Sequence, residues 1–264
     1  MNLPTVTSIF LGFTSIVLAL PLSPPTHIPK DLKLSYHPAP SHSSLGISVL
    51  VIPGGGYQLV SLDMEGTNST LYLNSRGYDA WVLNYTTAST LNAPVPLYPV
   101  PQDEAIAAVK YIKQQEAVRV DKLGIWGYSA GGHLAAVTVT DERVQGDLDF
   151  GILSYPVISM DADITHNGSR VNLIGNNPSD ELVEEMSAEN RVTEDTPPIF
   201  IYHSANDATV PVENALRFIG AMTGVSRPYE ALILPDAPHG IALGLGDPVR
   251  DWTGELDRWM KYSI

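Results

Sequence analysis

A Gly-x-Ser-x-Gly sequence at the junction of a strand-like and a helix-like segment constrains this chain most. Residues 123–128 form an apolar run long enough for one buried strand, and helix-forming residues resume after Gly131. Ser129 stands between them, with Gly127 and Gly131 two residues away on either side. A strained turn of this kind leaves no room for Cβ atoms at those two positions. The pattern predicts a reactive serine at the amino end of a helix, where N–H groups such as that of Ala130 favour negative charge.

The same sequence also fits an ordinary tight turn. The prediction of a reactive serine therefore depends on whether the chain also supplies the residues that would activate it. A serine hydroxyl is a weak nucleophile at neutral pH and needs a base, which in turn needs an acid to orient it. In α/β hydrolases the acid and then the histidine follow the serine along the chain, each in a loop after a strand. Asp207 follows the strand-like run 199–203, and His239 follows the next run, 229–234. The order predicts a catalytic triad of Ser129, Asp207 and His239, without metal or cofactor.

Other histidines and acids compete for these roles. His133 lies one helical turn after the serine, but the chain order excludes it as the base and predicts a packing or hydrogen-bonding role. Asp236 lies too close to His239 along the chain to be the acid, and Asp195 precedes its strand. The other histidines lie in the amino-terminal region, in an irregular segment or at the end of a strand: His27, His37, His42, His166 and His203.

A glycine-rich loop follows the first strand-like run. Residues 47–52 are typical of a strand buried on both faces, and they lead into Pro-Gly-Gly-Gly-Tyr at 53–57. Consecutive glycines leave backbone N–H groups uncovered by side chains. Beside a nucleophile, such a loop can donate hydrogen bonds to the oxyanion of acyl transfer. Simple flexibility is the alternative explanation for the glycines.

Strand-like and helix-like segments alternate along the chain, which predicts a largely parallel sheet covered by helices on both faces. A further edge strand is predicted near residues 32–37. The strand-like segments are 47–52, 79–85, 123–128, 150–155, 199–203 and 229–234, and the helix-like segments are 65–75, 102–115, 130–138, 213–222 and 251–262. A proline-rich stretch at 94–101 is predicted to be a surface loop.

Three regions depart from this alternation. Residues 9–20 are an almost uninterrupted apolar stretch that ends in a plausible small-residue cleavage site, which predicts a secretory signal peptide over residues 1–20. No basic residue precedes Lys30, and a signal anchor or a disordered tail is the alternative. Residues 21–44 are rich in proline and are predicted to form an extended leader to the catalytic domain, 45–264. Residues 157–190 are predicted to be an insertion with one helix at 179–186, which either shapes a substrate pocket or is a solvated loop.

Composition excludes several classes of partner. The net charge of −14, from 29 acidic and 15 basic residues, would repel nucleic acid and anionic membranes, so neither is an expected partner. The chain has no cysteine, which excludes disulfides and a thiolate nucleophile but is compatible with export, because a large core needs no covalent links. Three Asn-x-Ser/Thr sequons, at Asn68, Asn84 and Asn167, fit a secreted glycoprotein, although Asn84 is expected near a strand end.

Several motifs together resemble a known family. They are Pro53-Gly54-Gly55-Gly56-Tyr57, Gly127-Tyr128-Ser129-Ala130-Gly131-Gly132-His133-Leu134-Ala135, Ser154-Tyr155-Pro156-Val157-Ile158-Ser159, Thr196-Pro197-Pro198, Asp207 with Val210-Pro211-Val212-Glu213-Asn214, and His239-Gly240. In order and spacing, over roughly residues 45–262, they resemble the α/β-hydrolase-fold acetyl xylan esterase and feruloyl esterase family. The resemblance implies the same triad, with the backbone of Gly55, Gly56 and Ala130 as the oxyanion hole. Ala237-Pro238 departs from the glycines that usually precede the catalytic histidine.

The resemblance implies a secreted esterase that removes acetyl or feruloyl groups from plant cell-wall polysaccharides or oligosaccharides. The expected partner is therefore an acetylated carbohydrate or a small ester. Two alternatives stay open. One is a general esterase, lipase-like enzyme or amidase for small acyl substrates. The other is an inactive hydrolase fold used for binding, which the presence of all three triad residues argues against.

Overall fold

The computed structural model describes residues 28–264. The predicted signal peptide, and the start of the predicted leader, lie outside this range. The strands are β1 (Leu34–His37), β2 (Ile47–Ile52), β3 (Asp79–Leu83), β4 (Lys122–Tyr128), β5 (Phe150–Ser154), β6 (Ile199–Ser204) and β7 (Tyr229–Leu234). The helices are α1 (Asn68–Asn74), α2 (Val100–Lys113), α3 (Ser129–Val139), α4 (Asn167–Ile174), α5 (Asp180–Glu185), α6 (Glu213–Gly224) and α7 (Thr253–Tyr262).

The seven strands form one sheet in the order β1-β3-β2-β4-β5-β6-β7. Every neighbouring pair is parallel except β1 and β3. The fold is thus the predicted α/β-hydrolase fold, a mostly parallel sheet with helices on both faces. The antiparallel strand β1 lies within the predicted leader, and its Tyr36 ring packs 4.3 Å from that of Trp81 on β3. This part of the leader therefore belongs to the sheet.

Both faces of the sheet are buried, which explains the continuous apolar runs of the central strands. Successive side chains of a strand point to opposite faces. On β2, Leu50 and Ile52 join the apolar cluster that includes side chains of α2, α3 and α6. Val49 and Val51 join the other cluster, with side chains of α1 and α7.

Three segments differ from the sequence-based expectations. The helix predicted at 65–75 begins as a π-helix, Leu62–Thr67, that continues into α1. Helix α2 begins two residues earlier than expected because Pro101 is tolerated in a first helical turn, where no intrahelical partner is needed for its missing N–H. The proline-rich stretch is mostly exposed as predicted, but Leu97 is buried and its N–H donates to the Asn172 carbonyl.

The segment 157–190 contains two α-helices, where the sequence indicated one. The expected helix is α5. The additional helix, α4, has the sequence Asn-Gly-Ser-Arg-Val-Asn-Leu-Ile, and its Asn, Gly and Ser residues have low helix propensity. Its Leu173 and Ile174 are buried in the apolar cluster beside α3, so packing stabilises this helix where propensity does not.

Candidate active site

The turn between β4 and α3 is as crowded as its glycines predict. A Cβ atom on Gly127 would lie 2.2 Å from the Gly131 carbonyl oxygen, and one on Gly131 would lie 2.2 Å from the Ile52 carbonyl oxygen. Ser129 adopts a φ of +51°, a left-handed conformation that is strained for a residue with a side chain. Such strain is concentrated at functional sites, and here it directs the hydroxyl away from the sheet.

Three loops at the carboxyl ends of β4, β6 and β7 bring Ser129, Asp207 and His239 together. His239 Nε2 lies 2.8 Å from Ser129 Oγ, and His239 Nδ1 lies 2.7 Å from Asp207 Oδ2. Both distances are those of hydrogen bonds. The serine hydroxyl, the imidazole and the carboxylate therefore form one continuous chain, in the arrangement that proton transfer from a serine requires.

Asp207 is held as an anion. Its Oδ1 accepts hydrogen bonds from the backbone N–H groups of Thr209 and Val210, both at 2.9 Å, and its Oδ2 accepts one from His239. Burial alone would raise the pKa of Asp207, but the hydrogen bonds from His239 and Val210 outweigh it and hold the pKa below its ordinary value. A fixed carboxylate at this position keeps the proton of neutral His239 on Nδ1, which leaves Nε2 free to accept the serine proton.

His133 is fully buried and makes its contacts away from this chain. Its Nε2 donates to the Met186 carbonyl at 2.7 Å, so its Nδ1, 2.8 Å from Tyr57 Oη, accepts from the tyrosine hydroxyl. Burial lowers the pKa of His133 to about 4, so it is neutral at pH 7. It links α3 to the glycine loop and to the segment 157–190, which is the packing role that the chain order predicts.

The glycine loop lies against the serine turn. Gly55 and Gly56 have φ values of +129° and +65°, and a Cβ on Gly55 would lie 2.2 Å from the Leu59 carbonyl oxygen. Only glycine therefore fits at position 55. Both glycines line one cavity with Ser129, and Ala130 occupies the first turn of α3, whose N–H groups have no partner within the helix.

A buried glutamate that the sequence analysis did not single out, Glu65, connects the glycine loop to the histidine loop. Its Oε2 accepts the N–H of Gly54 at 2.6 Å, and its Oε1 accepts the Tyr155 hydroxyl at 2.8 Å. The same hydroxyl accepts the N–H of Ala242, and the Tyr155 ring packs edge-on to that of His239 at 4.9 Å. Burial raises the pKa of Glu65, and the hydrogen bonds from Tyr155 and Gly54 offset part of the rise. The sequence gives one weak signal for it, its place in the helix after the glycine loop.

The cavity above the serine has a volume of about 520 Å³, a typical size for a small-molecule site. The segment 157–190 forms part of its wall through His166 and Asn172, and Asn172 Nδ2 donates to the Gly56 carbonyl at 2.9 Å. Leu59 and Met64 add apolar side chains to the lining. The segment 157–190 was expected either to shape a substrate pocket or to be a solvated loop, and these contacts agree with the first interpretation.

A second binding cavity, a metal site or a membrane-spanning helix would each point to further ligands or partners. A larger open cavity of about 740 Å³ adjoins Arg143 and Arg191, but both guanidinium groups are paired with Asp141 and the cavity contains none of the triad residues. Within residues 28–264, no cluster of three or more His, Asp or Glu side chains is arranged to hold a metal ion. Over the same range no helix has the length and apolar character to cross a bilayer.

A model of the prolyl oligopeptidase family matches residues 99–263, which is more than half of the chain. The chain belongs to the prolyl oligopeptidase family. The matched region includes all three residues of the hydrogen-bonded chain, and the fold agrees with the α/β-hydrolase fold expected from the sequence.

Similar proteins include carbohydrate-active hydrolases. The chain is 36% identical over 220 residues to an endo-1,4-β-xylanase B of Butyrivibrio fibrisolvens (78% of this chain, 34% of the relative). It is 31% identical over 221 residues to an acetylxylan esterase of Xylanibacter ruminicola (82% of this chain, 45% of the relative). The chain thus spans between a third and a half of the length of these two relatives. The structure of an acetyl ester-xyloside bifunctional hydrolase from Caldicellulosiruptor lactoaceticus superposes with a TM-score of 0.77 at 33% identity, covering 86% of each chain.

These comparisons agree with the resemblance to acetyl xylan esterases and with the expectation of a hydrolase of the esterase type.

Proposed function

We propose that this protein is a serine carboxylesterase that removes acetyl groups from carbohydrate, with acetylated xylan or its oligosaccharides as substrate. The observation that carries the proposal is the hydrogen-bonded chain from Ser129 Oγ through His239 to Asp207. The acetylxylan esterase relative and the acetyl ester-xyloside hydrolase structure support the choice of substrate class.

The reaction begins with His239, which takes the proton of the Ser129 hydroxyl as the oxygen attacks the ester carbonyl. Asp207 stabilises the imidazolium that forms. The tetrahedral oxyanion is stabilised by backbone N–H groups, for which Gly55, Gly56 and Ala130 are the proposed donors. His239 then protonates the departing sugar alcohol, which leaves an acetyl group on Ser129.

A water molecule completes the cycle. His239 removes its proton as it attacks the acetyl-enzyme, and the second tetrahedral intermediate is stabilised by the same donors. Collapse of this intermediate returns the proton to Ser129 and releases acetate. All steps use side chains and backbone groups of this chain, so the proposed reaction includes no metal or cofactor.

The choice of substrate is tested by acid release from a panel of esters. Purified protein is expected to release acetate from acetylated xylan and from p-nitrophenyl acetate, and the same panel includes feruloylated arabinoxylan and an acetanilide. Good hydrolysis of p-nitrophenyl acetate without acid from either polysaccharide would contradict the carbohydrate assignment and favour a general esterase. The apolar Leu59 and Met64 beside the cavity support that second candidate.

We also propose that the protein is exported and glycosylated. The apolar residues 9–20 support export. The three sequons support glycosylation, since Asn68, Asn84 and Asn167 are all exposed, including the one expected near a strand end. Expression of the full chain in a eukaryotic host tests both, because export would place the protein in the medium and an endoglycosidase would then lower its apparent mass. Retention of the whole chain inside the cell would contradict export.

A further inference from the structure

A second histidine, His166, faces the cavity that contains Ser129 and His239. It directly precedes α4 and is half-buried. A Cβ atom built on Gly56 would lie 3.5 Å from His166 Cε1, so the edge of the imidazole stands over the glycine loop. A substrate whose ester reaches Ser129 would therefore pass close to this ring.

The hydrogen bonds of His166 fix its tautomer. Its Nδ1 accepts the backbone N–H of Ser169 at 3.2 Å and also lies 2.9 Å from Ser169 Oγ. A ring nitrogen that accepts a backbone N–H carries no proton, so the proton of the neutral ring is on Nε2. Burial, together with the nearby His239, lowers the pKa of His166 below its ordinary value, which favours the neutral ring at pH 7. The ring thus offers an oriented N–H donor beside the cavity.

We propose that His166 is a substrate-binding residue whose Nε2–H donates a hydrogen bond to a hydroxyl oxygen of a carbohydrate ester, next to the bond that is cleaved. The inference rests on the proposed carbohydrate esterase function, and it assigns to His166 a part in the selection of carbohydrate esters over simple alkyl esters. The neighbouring Leu59 and Met64 are apolar and offer no hydrogen bond to sugar hydroxyls. A simple alkyl ester has no hydroxyl for His166 to bind, so this contact would discriminate between the two substrate classes.

Two substitutions separate substrate binding from helix capping. His166→Asn keeps a short acceptor that can cap α4 through the Ser169 N–H, because asparagine is a favoured N-cap residue, but it cannot extend a donor to the position of Nε2. His166→Gln places an amide N–H near that position and is a poorer cap. The two roles therefore predict opposite rankings of the same pair of variants.

The experiment measures kcat/KM for two acetate esters of six-membered rings, methyl 2-O-acetyl-β-D-xyloside, which has further hydroxyls, and cyclohexyl acetate, which has none. We expect the ratio of xyloside to cyclohexyl activity to fall about fivefold in His166→Asn, mainly through KM, since one hydrogen bond is lost. In His166→Gln the ratio is expected to return to within about twofold of the wild-type value. Thermal unfolding midpoints of the three proteins are measured alongside and report on the cap.

Any result in which His166→Gln does not recover a ratio that is lost in His166→Asn overturns the proposal. A reduced ratio in His166→Gln together with a wild-type ratio in His166→Asn would assign the residue to capping. Equal ratios in all three proteins would show that His166 does not bind the sugar hydroxyl, while the proposed carbohydrate esterase function would still stand. Wild-type protein that cleaves cyclohexyl acetate but not the xyloside would refute the carbohydrate function itself, and the proposed contact with it.

Discussion

The floor and the wall of the cavity are held by different kinds of contact. The floor is the Ser129 turn, where Cβ atoms at Gly127 or Gly131 would lie 2.2 Å from backbone oxygens. The wall is α4 with the preceding His166, and Asn172 of α4 donates a side-chain hydrogen bond to the Gly56 carbonyl of the glycine loop. A clash with backbone atoms cannot be relieved when a neighbouring side chain changes its rotamer. A side-chain hydrogen bond, in contrast, can be removed by one substitution without moving the backbone. The proposed chemistry therefore lies on the rigid part and the proposed selectivity on the adjustable part.

The largest expected effect is on the floor. Ser129→Ala removes the proposed nucleophile, and kcat on p-nitrophenyl acetate is expected to fall by at least about 10⁴-fold, because without it only binding and oxyanion stabilisation remain. The control is Ser263→Ala, an exposed serine at the carboxyl terminus, which is expected to retain activity. Near-normal turnover in the Ser129 variant would refute the assignment of the nucleophile.

The second prediction concerns the acid. Asp207→Asn removes the charge that stabilises the His239 imidazolium and fixes the tautomer of the neutral ring, so kcat is expected to fall by about 10³-fold or more. Asp236→Asn is the matched control, since Asp236 is nearer to His239 along the chain but is exposed and bonds to Asn206. If the Asp236 variant loses more activity than the Asp207 variant, the assignment of the acid is wrong.

A third substitution tests the steric origin of the floor. Gly131→Ala places a methyl group against the Ile52 and Pro53 carbonyl oxygens, and overpacking of this kind is expected to lower the free energy of unfolding by about 3 kcal/mol. Gly220→Ala on α6 is the opposite case, because an added Cβ there meets no heavy atom of the described residues within 4 Å beyond its chain neighbours and the nearby backbone of its own helix. It is expected to raise the free energy of unfolding by about 0.5 to 1 kcal/mol. Urea denaturation measures both, and equal effects would contradict the steric argument.

On the wall, Asn172→Ala removes the hydrogen bond to the Gly56 carbonyl. Since the loop then loses one restraint next to the proposed oxyanion donors, kcat is expected to fall about fivefold, with a smaller effect on stability. Asn177→Ala, an exposed position in the same segment, is the control. A loss of kcat comparable to that of Asp207→Asn would show that floor and wall do not differ as described.

The floor is also the part that sequence patterns predict well. Backbone crowding can be recognised in the sequence, since only glycine fits at positions 127 and 131. A strand buried on both faces is mostly apolar, as residues 47–52 are apart from Ser48. Strand β7 also has the predicted bounds, although it lies at the edge of the sheet and none of its residues is fully buried. Ser129, Asp207 and His239 could then be assigned from the sequence, because each lies in a loop or turn that follows a predicted strand.

The segment 157–190 was predicted as a possible pocket wall, but its helix α4 and the side chains that support the wall were not predicted, for a physical reason. Helix α4 consists of residues with weak helix propensity and is stabilised by burial of Leu173 and Ile174, which depends on the tertiary structure. Asn172 and His166 contact residues more than a hundred positions away along the chain, at the glycine loop. Glu65 likewise has its partner Tyr155 ninety positions away. Single side-chain contacts at such separations have no periodic signature.

The smallest expected effect distinguishes two buried carboxylates by the sign of their pH dependence. The pKa of Asp207 is lowered, so the native state binds fewer protons than the unfolded state just below the ordinary value of 3.8, and its contribution to stability is lost as the pH falls through the folded pKa. The pKa of Glu65 is raised by burial, so the native state holds its proton longer and its contribution is lost as the pH rises above 4.5.

Urea unfolding of the wild type, Asp207→Asn and Glu65→Gln across pH 3 to 7 measures these contributions. The difference in free energy of unfolding between wild type and Asp207→Asn is expected to shift in favour of the wild type as the pH rises towards 3.8. The corresponding difference for Glu65→Gln is expected to shift against the wild type above pH 4.5, because glutamine cannot ionise. If both differences change with the same sign, burial does not raise the pKa of Glu65 as described, and its hydrogen bonds from Gly54 and Tyr155 outweigh the cost of burial.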